Sequence, residues 1–313
     1  MTVRNTWERG RKSKMLEGLI CPDGAKILTK DCLTSCRMGQ RCLTLPTLVL
    51  ITQEREWKGL ASTTQLLNGT MYEFLKLTKP YYIDPDSRAF MLQGTKHHQS
   101  LETIAKELGL PAEIPLNIDR DIFDLLEKEN EELVMTDYKL WGSFRVAQAL
   151  GITEVGKQPD PSGECYKTNS KWGKMGSPKM VPIWKQVSEK ADLWEQELQL
   201  NRYRVMLQDL GITLTKMRLQ VTVRDGGLYI AQGRGVFRNI YQIPIKIIPD
   251  DTVRQFFASK ADSLEEALAK GECGLLCTSQ ESWDGTRCLS YCDVWNYCPK
   301  GILVHQVGTG KGG

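Results

Sequence analysis

Nine of the ten cysteines lie near the two ends of the chain, and eight of them fall into two sets of identical spacing. Cys21, Cys32, Cys36 and Cys42 run C-x10-C-x3-C-x5-C. Cys277, Cys288, Cys292 and Cys298 repeat that spacing, with Cys273 just upstream, and only Cys165 stands alone. Four thiolates within a loop of ~20 residues can close a tetrahedral zinc site or hold an iron–sulfur cluster. Singly buried cysteines are common as small apolar side chains, but two matched sets favour cofactor binding. A second group with chemistry is Asp124, Asp137 and Lys139. Two apolar runs, 122–127 and 132–140, flank the polar turn 128–131 and predict a hairpin. Side chains alternate along a strand, so Asp137 and Lys139 share a face with Leu133 and Met135, while Asp124 sits among Ile122, Phe123, Leu125 and Leu126. Charge planted in apolar strands is costly to bury unpaired. A divalent cation held by carboxylate oxygens would account for it, Mg2+ or Mn2+ by donor type. An ordinary surface ion pair would account for it as well.

The elements around these residues read as a mixed α/β core. Helices are predicted over 63–76, over 94–108 with Leu101, Ile104, Ala105 and Leu108 apolar, and over 190–210, ending at Gly211. The alternation of Met217, Leu219, Val221 and Val223 with Lys216, Arg218, Gln220 and Thr222 predicts a half-buried strand. Asp225-Gly226-Gly227 would turn it back into an extended 228–231, and a further strand covers 241–248. Two helices follow, 252–260 and 264–270, the second opened by a capping box of Ser263 and Glu266. Residues 155–182, rich in Pro, Gly, Ser and Lys, read as a loop. Its lysines could grip phosphates, although a solvated linker is the preferred reading. Trp141 and Arg145 could touch nucleic acid or simply pack.

The helix and strand residues together resemble a known family. Gly94-Thr95-Lys96-His97-His98, then Leu101-Glu102, resembles the G-T-x-x-H-x-x-L-E helix of RecB-like nucleases in the PD-(D/E)XK superfamily. Ile122-Phe123-Asp124-Leu125-Leu126 is similar to the strand carrying that family's first metal-binding aspartate. Asp137-Tyr138-Lys139, thirteen positions after Asp124, matches the D-Y-K form of its signature, and Gln199-Leu200-Asn201-Arg202-Tyr203 its Q-x-x-x-Y helix. The motifs keep the family's order over about residues 62–248. Cys288, Cys292 and Cys298 also resemble the C-terminal cysteine trio of AddB and of CRISPR-associated RecB-type nucleases, which complete one 4Fe–4S cluster with a single N-terminal cysteine. The spacing departs from theirs, C-x3-C-x5-C against C-x2-C-x5-C, and four N-terminal cysteines exceed the one required.

The resemblance implies a PD-(D/E)XK restriction-endonuclease-like core, a mixed central sheet flanked by helices, with cysteine-rich metal-binding flanks. The expected segments are 1–50 (a basic tail and the first four cysteines), 51–262 (nuclease core) and 263–313 (the second cysteine set). Asp124, Asp137 and the carbonyl of Tyr138 would ligate the catalytic Mg2+ or Mn2+. Lys139 would position the attacking water, and Gln199 and Tyr203 would fix the lysine side of the site. Helical periodicity does not separate His97 from His98; the family spacing, Gly94 plus four, selects His98 as the metal ligand. The implied activity is metal-dependent DNA hydrolysis, by exonuclease action, in recombination, repair or phage DNA metabolism. The alternative is a catalytically silent DNA-binding or accessory subunit of a helicase or recombinase complex. The cysteine cofactors are 4Fe–4S or Zn2+. Partners would be DNA, with a helicase, recombinase or single-strand-binding protein; no Walker-type phosphate loop is present, so a motor would come from another chain. A net charge of +3 argues against bulk polyanion coating. No apolar run approaches the ~20 residues that span a bilayer, so no membrane partner is expected. The basic stretch 1–14 leads into no signal-like apolar run, which points to the cytoplasm of a bacterial or phage-infected cell.

Overall fold

A computed structural model describes residues 15–54, 57–116, 121–171 and 173–309; the basic tail expected at 1–14 lies outside them. The chain divides in space rather than in sequence order. Of the described residues, one compact unit comprises those within 15–96, 121 and 249–309, the other those within 97–116 and 122–248.

The first unit opens with β1 (Leu16–Ile20), β2 (Lys26–Leu28), α1 (Thr29–Thr34), α2 (Leu45–Ile51), α3 (Thr63–Leu67), α4 (Thr70–Thr78) and β3 (Tyr81–Ile83). Its sheet has the order β2-β1-β3, antiparallel then parallel. The single helix expected over 63–76 is two, broken at Asn68-Gly69. A Cβ at Gly69 would stand 2.2 Å from Cys277 Sγ, so glycine lets the backbone approach that sulfur.

α5 (Ala89–Glu107) leads into the second unit, which continues with β4 (Ala112–Pro115), β5 (Ile122–Glu129), β6 (Glu132–Trp141), α6 (Ser143–Leu150), β7 (Ile152–Pro159), β8 (Met180–Gln186), α7 (Trp194–Asp209), β9 (Lys216–Val223), α8 (Tyr229–Gln232) and β10 (Ile240–Pro244). Its main sheet runs β10-β9-β6-β5-β4, antiparallel throughout except for the central parallel pair β6/β9. This is a mixed α/β arrangement of mixed sheet and flanking helices. β9 is buried at every second residue, Met217, Leu219, Val221 and Val223, which pack with Val146 of α6 and Leu200, Tyr203 and Leu207 of α7. A second cluster joins Ala105 of α5 to Ala112, Leu125 and Tyr138, whereas Ile104 and Leu108, expected on the apolar side, are exposed. The hairpin β5/β6 turns at Asn130 and Glu131, both with positive φ.

Three local expectations give way to tertiary context. The segment 155–182, expected as a loop, is strand at both ends: its first residues belong to β7 and its last to β8, an antiparallel pair in which Gly156 lies opposite Ile183 and Gln158 opposite Val181. Residues 229–232 are helical, since the turn at 225–227 leads into α8 and not into a returning strand. The first unit closes with α9 (Asp250–Lys270), α10 (Thr286–Ser290) and α11 (Pro299–Thr309). α9 is one 21-residue helix where two were expected. Val253, Phe257, Leu264 and Ala267 form one buried stripe, so Ser263 lies mid-helix and caps nothing.

Asp225 holds the N-terminus of α6: its Oδ1 accepts from Ser143 N at 2.6 Å and its Oδ2 from Ser143 Oγ at 2.6 Å. Burial by itself would raise the Asp225 pKa, but the two Ser143 donors outweigh it and hold the carboxyl below its ordinary value. A depressed carboxyl stabilises the fold above its unfolded pKa, and that contribution is lost as pH falls through the folded one. Asp225→Ala is therefore expected to cost about 1–2 kcal/mol at neutral pH and to narrow its gap from wild type in acid. Urea titrations at the two pH values measure both; an unchanged gap would remove the cap from this account.

Candidate metal centres

Register alone gathers carboxylates across three adjacent strands. Leu125 pairs with Thr136 across β5/β6, so Asp124 falls opposite Asp137 one step further on. On the other side, Glu113 lies between the pairs Ala112/Leu125 and Ile114/Phe123, which sets it opposite Asp124. Glu113, Asp124 and Asp137 thus form a row at the ~4.8 Å strand spacing, an unfavourable line of like charges unless a cation joins it. Glu113 has φ +52°. A glutamate in the left-handed region costs about 1–3 kcal/mol, the kind of strain found where a side chain must be re-aimed.

The cationic groups come from α5 and β6. His98 Nδ1 is 3.4 Å from Asp124 Oδ2 and 3.8 Å from Glu113 Oε1. Asp124 Oδ2 also accepts the backbone N–H of Tyr138 at 2.6 Å, which ties the two strands at the site. Lys139 Nζ lies 2.7 Å from Asp137 Oδ2. Among the described residues, His98, Glu113 and Asp124 are the one group of His, Cys, Asp and Glu whose ligand atoms all lie within 4.8 Å of one another. His97 points elsewhere, its Nε2 3.4 Å from Thr222 Oγ1. The sequence motif did not identify Glu113; a lone glutamate in Ala112-Glu113-Ile114-Pro115 carries no pattern, and only strand pairing reveals it.

Electrostatics follow from this geometry. The bonds to Asp124 and then Glu113 raise the His98 pKa to about 10, against burial and the nearby Lys139. Burial pushes Asp137 up to about 6, although Lys139 pulls it down. For Lys139 burial favours the neutral amine, but Asp137 and Asp124 more than reverse that and raise its pKa. Glu195, in the first turn of α7, also contributes to the field at Lys139. Gln199 follows Glu195 by one turn, and its Nε2 donates to the buried Tyr203 hydroxyl at 3.3 Å.

The donor set suits a hard divalent cation. Asp137 Oδ2 is buried and accepts no well-aligned hydrogen bond despite its ion pair, leaving an acceptor to be satisfied. Carboxylate oxygens with one imidazole are ligands that Mg2+ or Mn2+ accept. Ligation would require His98 to give up its proton.

Each cysteine quartet is also brought together. Cys277, Cys288, Cys292 and Cys298 line one cavity with Met71, Tyr72 and Leu75 of α4. Burial pushes the Cys292 thiol up to about 12 and raises Cys277 and Cys288, so these sulfurs stay protonated unless a cation takes the proton's place. Lys300 and Arg287, at the same cavity, would offset thiolate charge. In the N-terminal set, Cys32 is buried in α1, and after burial it is Cys42, Cys21 and Cys36 that raise its pKa, which places all four in one neighbourhood. Cys165 and Cys273 belong to neither group.

No protein family matches the chain, and no curated protein does. Among solved structures, one described as "Crystal structure of SSO0001" superposes with a TM-score of 0.39 at 12% identity, covering 87% of this chain and 95% of that one. No helix among the described residues is long and apolar enough to cross a membrane.

Proposed function

We propose that this protein is a metal-dependent DNA nuclease built on a PD-(D/E)XK core, with cysteine-bound structural centres. The observation that carries the reading is the gathering of His98, Glu113 and Asp124 within 4.8 Å beside the Asp137–Lys139 pair of the neighbouring strand. Fold and motif are consistent with one another: the D-Y-K residues lie on the central antiparallel hairpin, and Gln199 and Tyr203 lie on a helix packed over it.

Glu113, Asp124, Asp137 and His98 would hold Mg2+ or Mn2+. The cation supplies Lewis-acid activation of water and of the phosphoryl group. Lys139 presents a fixed positive charge where negative charge develops on the phosphate, and Asp137 orients it. Tyr138 N–H keeps Asp124 in place, and Gln199, which donates to the Tyr203 hydroxyl, would fix the lysine side of the site as the family resemblance implies. For at least one of the two cysteine centres an iron–sulfur cluster is preferred to zinc, on the likeness of the C-terminal trio to that of cluster-bearing nucleases.

Two alanine variants test the ligand set. His98→Ala is expected to raise the Mn2+ concentration for half-maximal DNA cleavage by at least the ~10–100-fold seen even for outer partners of metal ligands, and His97→Ala to leave it nearly unchanged. Cleavage of labelled linear DNA across a Mn2+ titration reads this out, and the reverse ranking would defeat the ligand assignment. The rival reading, a silent DNA-binding subunit of a helicase or recombinase complex, requires no cleavage by wild type at any Mn2+ concentration.

A further inference from the structure

The lysine-rich segment that reads as a solvated linker in the sequence is a hydrogen-bonded ribbon in the structure. β7 and β8 pair from Ile152/Gln186 to Pro159/Met180. The pairing continues beyond the strands: Asp160 N donates to Lys179 O at 2.7 Å, Lys179 N to Glu164 O at 2.8 Å, and Tyr166 N to Ser177 O at 2.9 Å. The tip folds back so closely that a Cβ at Gly173 would stand 2.2 Å from the Tyr166 ring. The root is fixed as well. Val187 N donates to Gly151 O at 3.0 Å, and a Cβ at Gly235 would stand 2.7 Å from the Trp184 ring. Between tip and root, no described residue from 152 to 190 is buried. A two-stranded ribbon without a core is marginal by itself, so what this one buries within the chain does not account for its retention.

Charge and shape say what such a ribbon would meet. From Cys165 to Ser188 there are five lysines, Lys167, Lys171, Lys174, Lys179 and Lys185, and no acidic residue. Lys179 is paired with Glu164, whereas Lys167, Lys174 and Lys185 are exposed and make no ion pair with a described residue. The whole chain carries only +3, so this local excess marks contact with a polyanion. Lysine offers a point charge and not a bidentate fork, which suits phosphates better than base edges. The major groove of duplex DNA, ~12 Å wide, admits a two-stranded ribbon. Single strands are gripped by open aromatic faces, and the two described rings of the ribbon, Tyr166 and Trp184, are half-buried against Gly173 and Gly235. The exposed Met180 and Ile183, three apart on one strand, point to opposite faces and form no stripe for a protein partner. The ribbon is inserted between β6-α6, which follows Lys139, and α7, which carries Gln199 and Tyr203. The eight residues of β7 span about 26 Å, the length of about eight base pairs.

We infer that the β7/β8 ribbon is an arm that lies along duplex DNA outside the cleavage site, with Lys167, Lys174 and Lys185 on phosphates. The inference rests on the nuclease reading for its choice of DNA among polyanions, and its test does not depend on cleavage. Anisotropy with the metal-free, full-length protein follows a labelled blunt duplex across a salt series. Lys167→Gln/Lys174→Gln/Lys185→Gln is expected to lower the slope of log K against log salt by about 2–3, at ~0.9 per phosphate. It should also weaken duplex binding at least about tenfold in ~0.1 M salt. Lys167→Arg/Lys174→Arg/Lys185→Arg should restore both, since phosphates need only the charge. Replacing 161–178 by Asn-Gly, a two-residue hairpin turn, keeps the strands and removes the tip. That variant should lose affinity and slope likewise and draw in the hydroxyl-radical footprint on one side. Duplex affinity within twofold of wild type and an unchanged slope in both variants would overturn the arm and leave the ribbon to a protein partner. Equal losses on a single strand of the same length would overturn its choice of duplex. A protein that cleaves DNA in Mn2+ yet keeps its salt slope in these variants retires the arm alone. One that binds duplex through the ribbon yet never cleaves retires the nuclease reading alone.

Discussion

Lys139→Met is expected to lower Mn2+-dependent DNA cleavage by about 10²–10³-fold, the range for losing one pre-positioned charge at a developing anion. Its effect on stability is separable. Asp137 is 4% exposed, and Lys139 is its ion-pair partner. Removing one member of such a pair strands the other, at up to ~3–5 kcal/mol if the charge is retained. Asp137 would instead take up a proton, because without the lysine its pKa rises further above about 6. The double variant Asp137→Asn/Lys139→Met should therefore regain most of the stability and none of the activity. The metal-free wild type carries a related pH signature. A carboxyl whose pKa is higher in the folded state stabilises fully below its unfolded value, and that contribution is lost as pH rises through about 6. Asp137→Asn should flatten this fall, as urea unfolding in EDTA at a series of pH values would show. Undiminished cleavage by Lys139→Met, or by wild type in excess EDTA, would end the proposed chemistry.

Cys298→Ser is expected to have the largest effect on folding. Cys298 is buried at the cavity that Cys277, Cys288 and Cys292 also line, within a segment of short helices, α10 and α11. Under the proposed reading, such a segment would draw on bound metal for its structure. Four-ligand sites contribute apparent free energies of ~10–16 kcal/mol in small zinc domains, comparable with the ~5–15 kcal/mol that holds a whole domain folded. The variant should lose its C-terminal metal, unfold in separate steps and become protease-sensitive beyond residue 270. Cys21→Ser should empty only the N-terminal centre, and Cys165→Ser should change nothing. Metal analysis and visible spectra of anaerobically purified proteins decide among these. Loss of all metal from Cys21→Ser would mean one centre shared between the ends, as in the relatives the cysteine trio resembles.

Several features were legible in the sequence because they depend on local periodicity. The alternation in Lys216–Val223 is the strand β9, half-buried as its pattern requires. Asp137 and Lys139, two residues apart, share a face in any strand, and the structure pairs them at 2.7 Å. Gln199 and Tyr203, four apart on a helix, meet at 3.3 Å for the same reason. The repeated cysteine spacing needed no structure to be noticed, since identical intervals are a property of the chain alone.

Other features exist only once distant segments meet. Glu113 becomes a candidate ligand because β4 pairs with β5 and because its backbone enters the left-handed region, neither of which a single glutamate announces. His97 and His98 are adjacent, and helical spacing gives both a claim; packing of α5 directs one toward Asp124 and the other toward Thr222. The turn at 225–227 was readable, but burial of Ala231 and Val236 in the core decides that a helix follows it and that Tyr229 and Phe237 face water. Likewise, Ser263 and Glu266 have the residue types of a cap, yet the stripe from Val253 to Ala267 carries the helix straight through them. Sequence periodicity specifies which residues share a face, because backbone geometry repeats every two or 3.6 residues. Which face meets which partner is a matter of long-range burial and register, and there the tertiary structure decides.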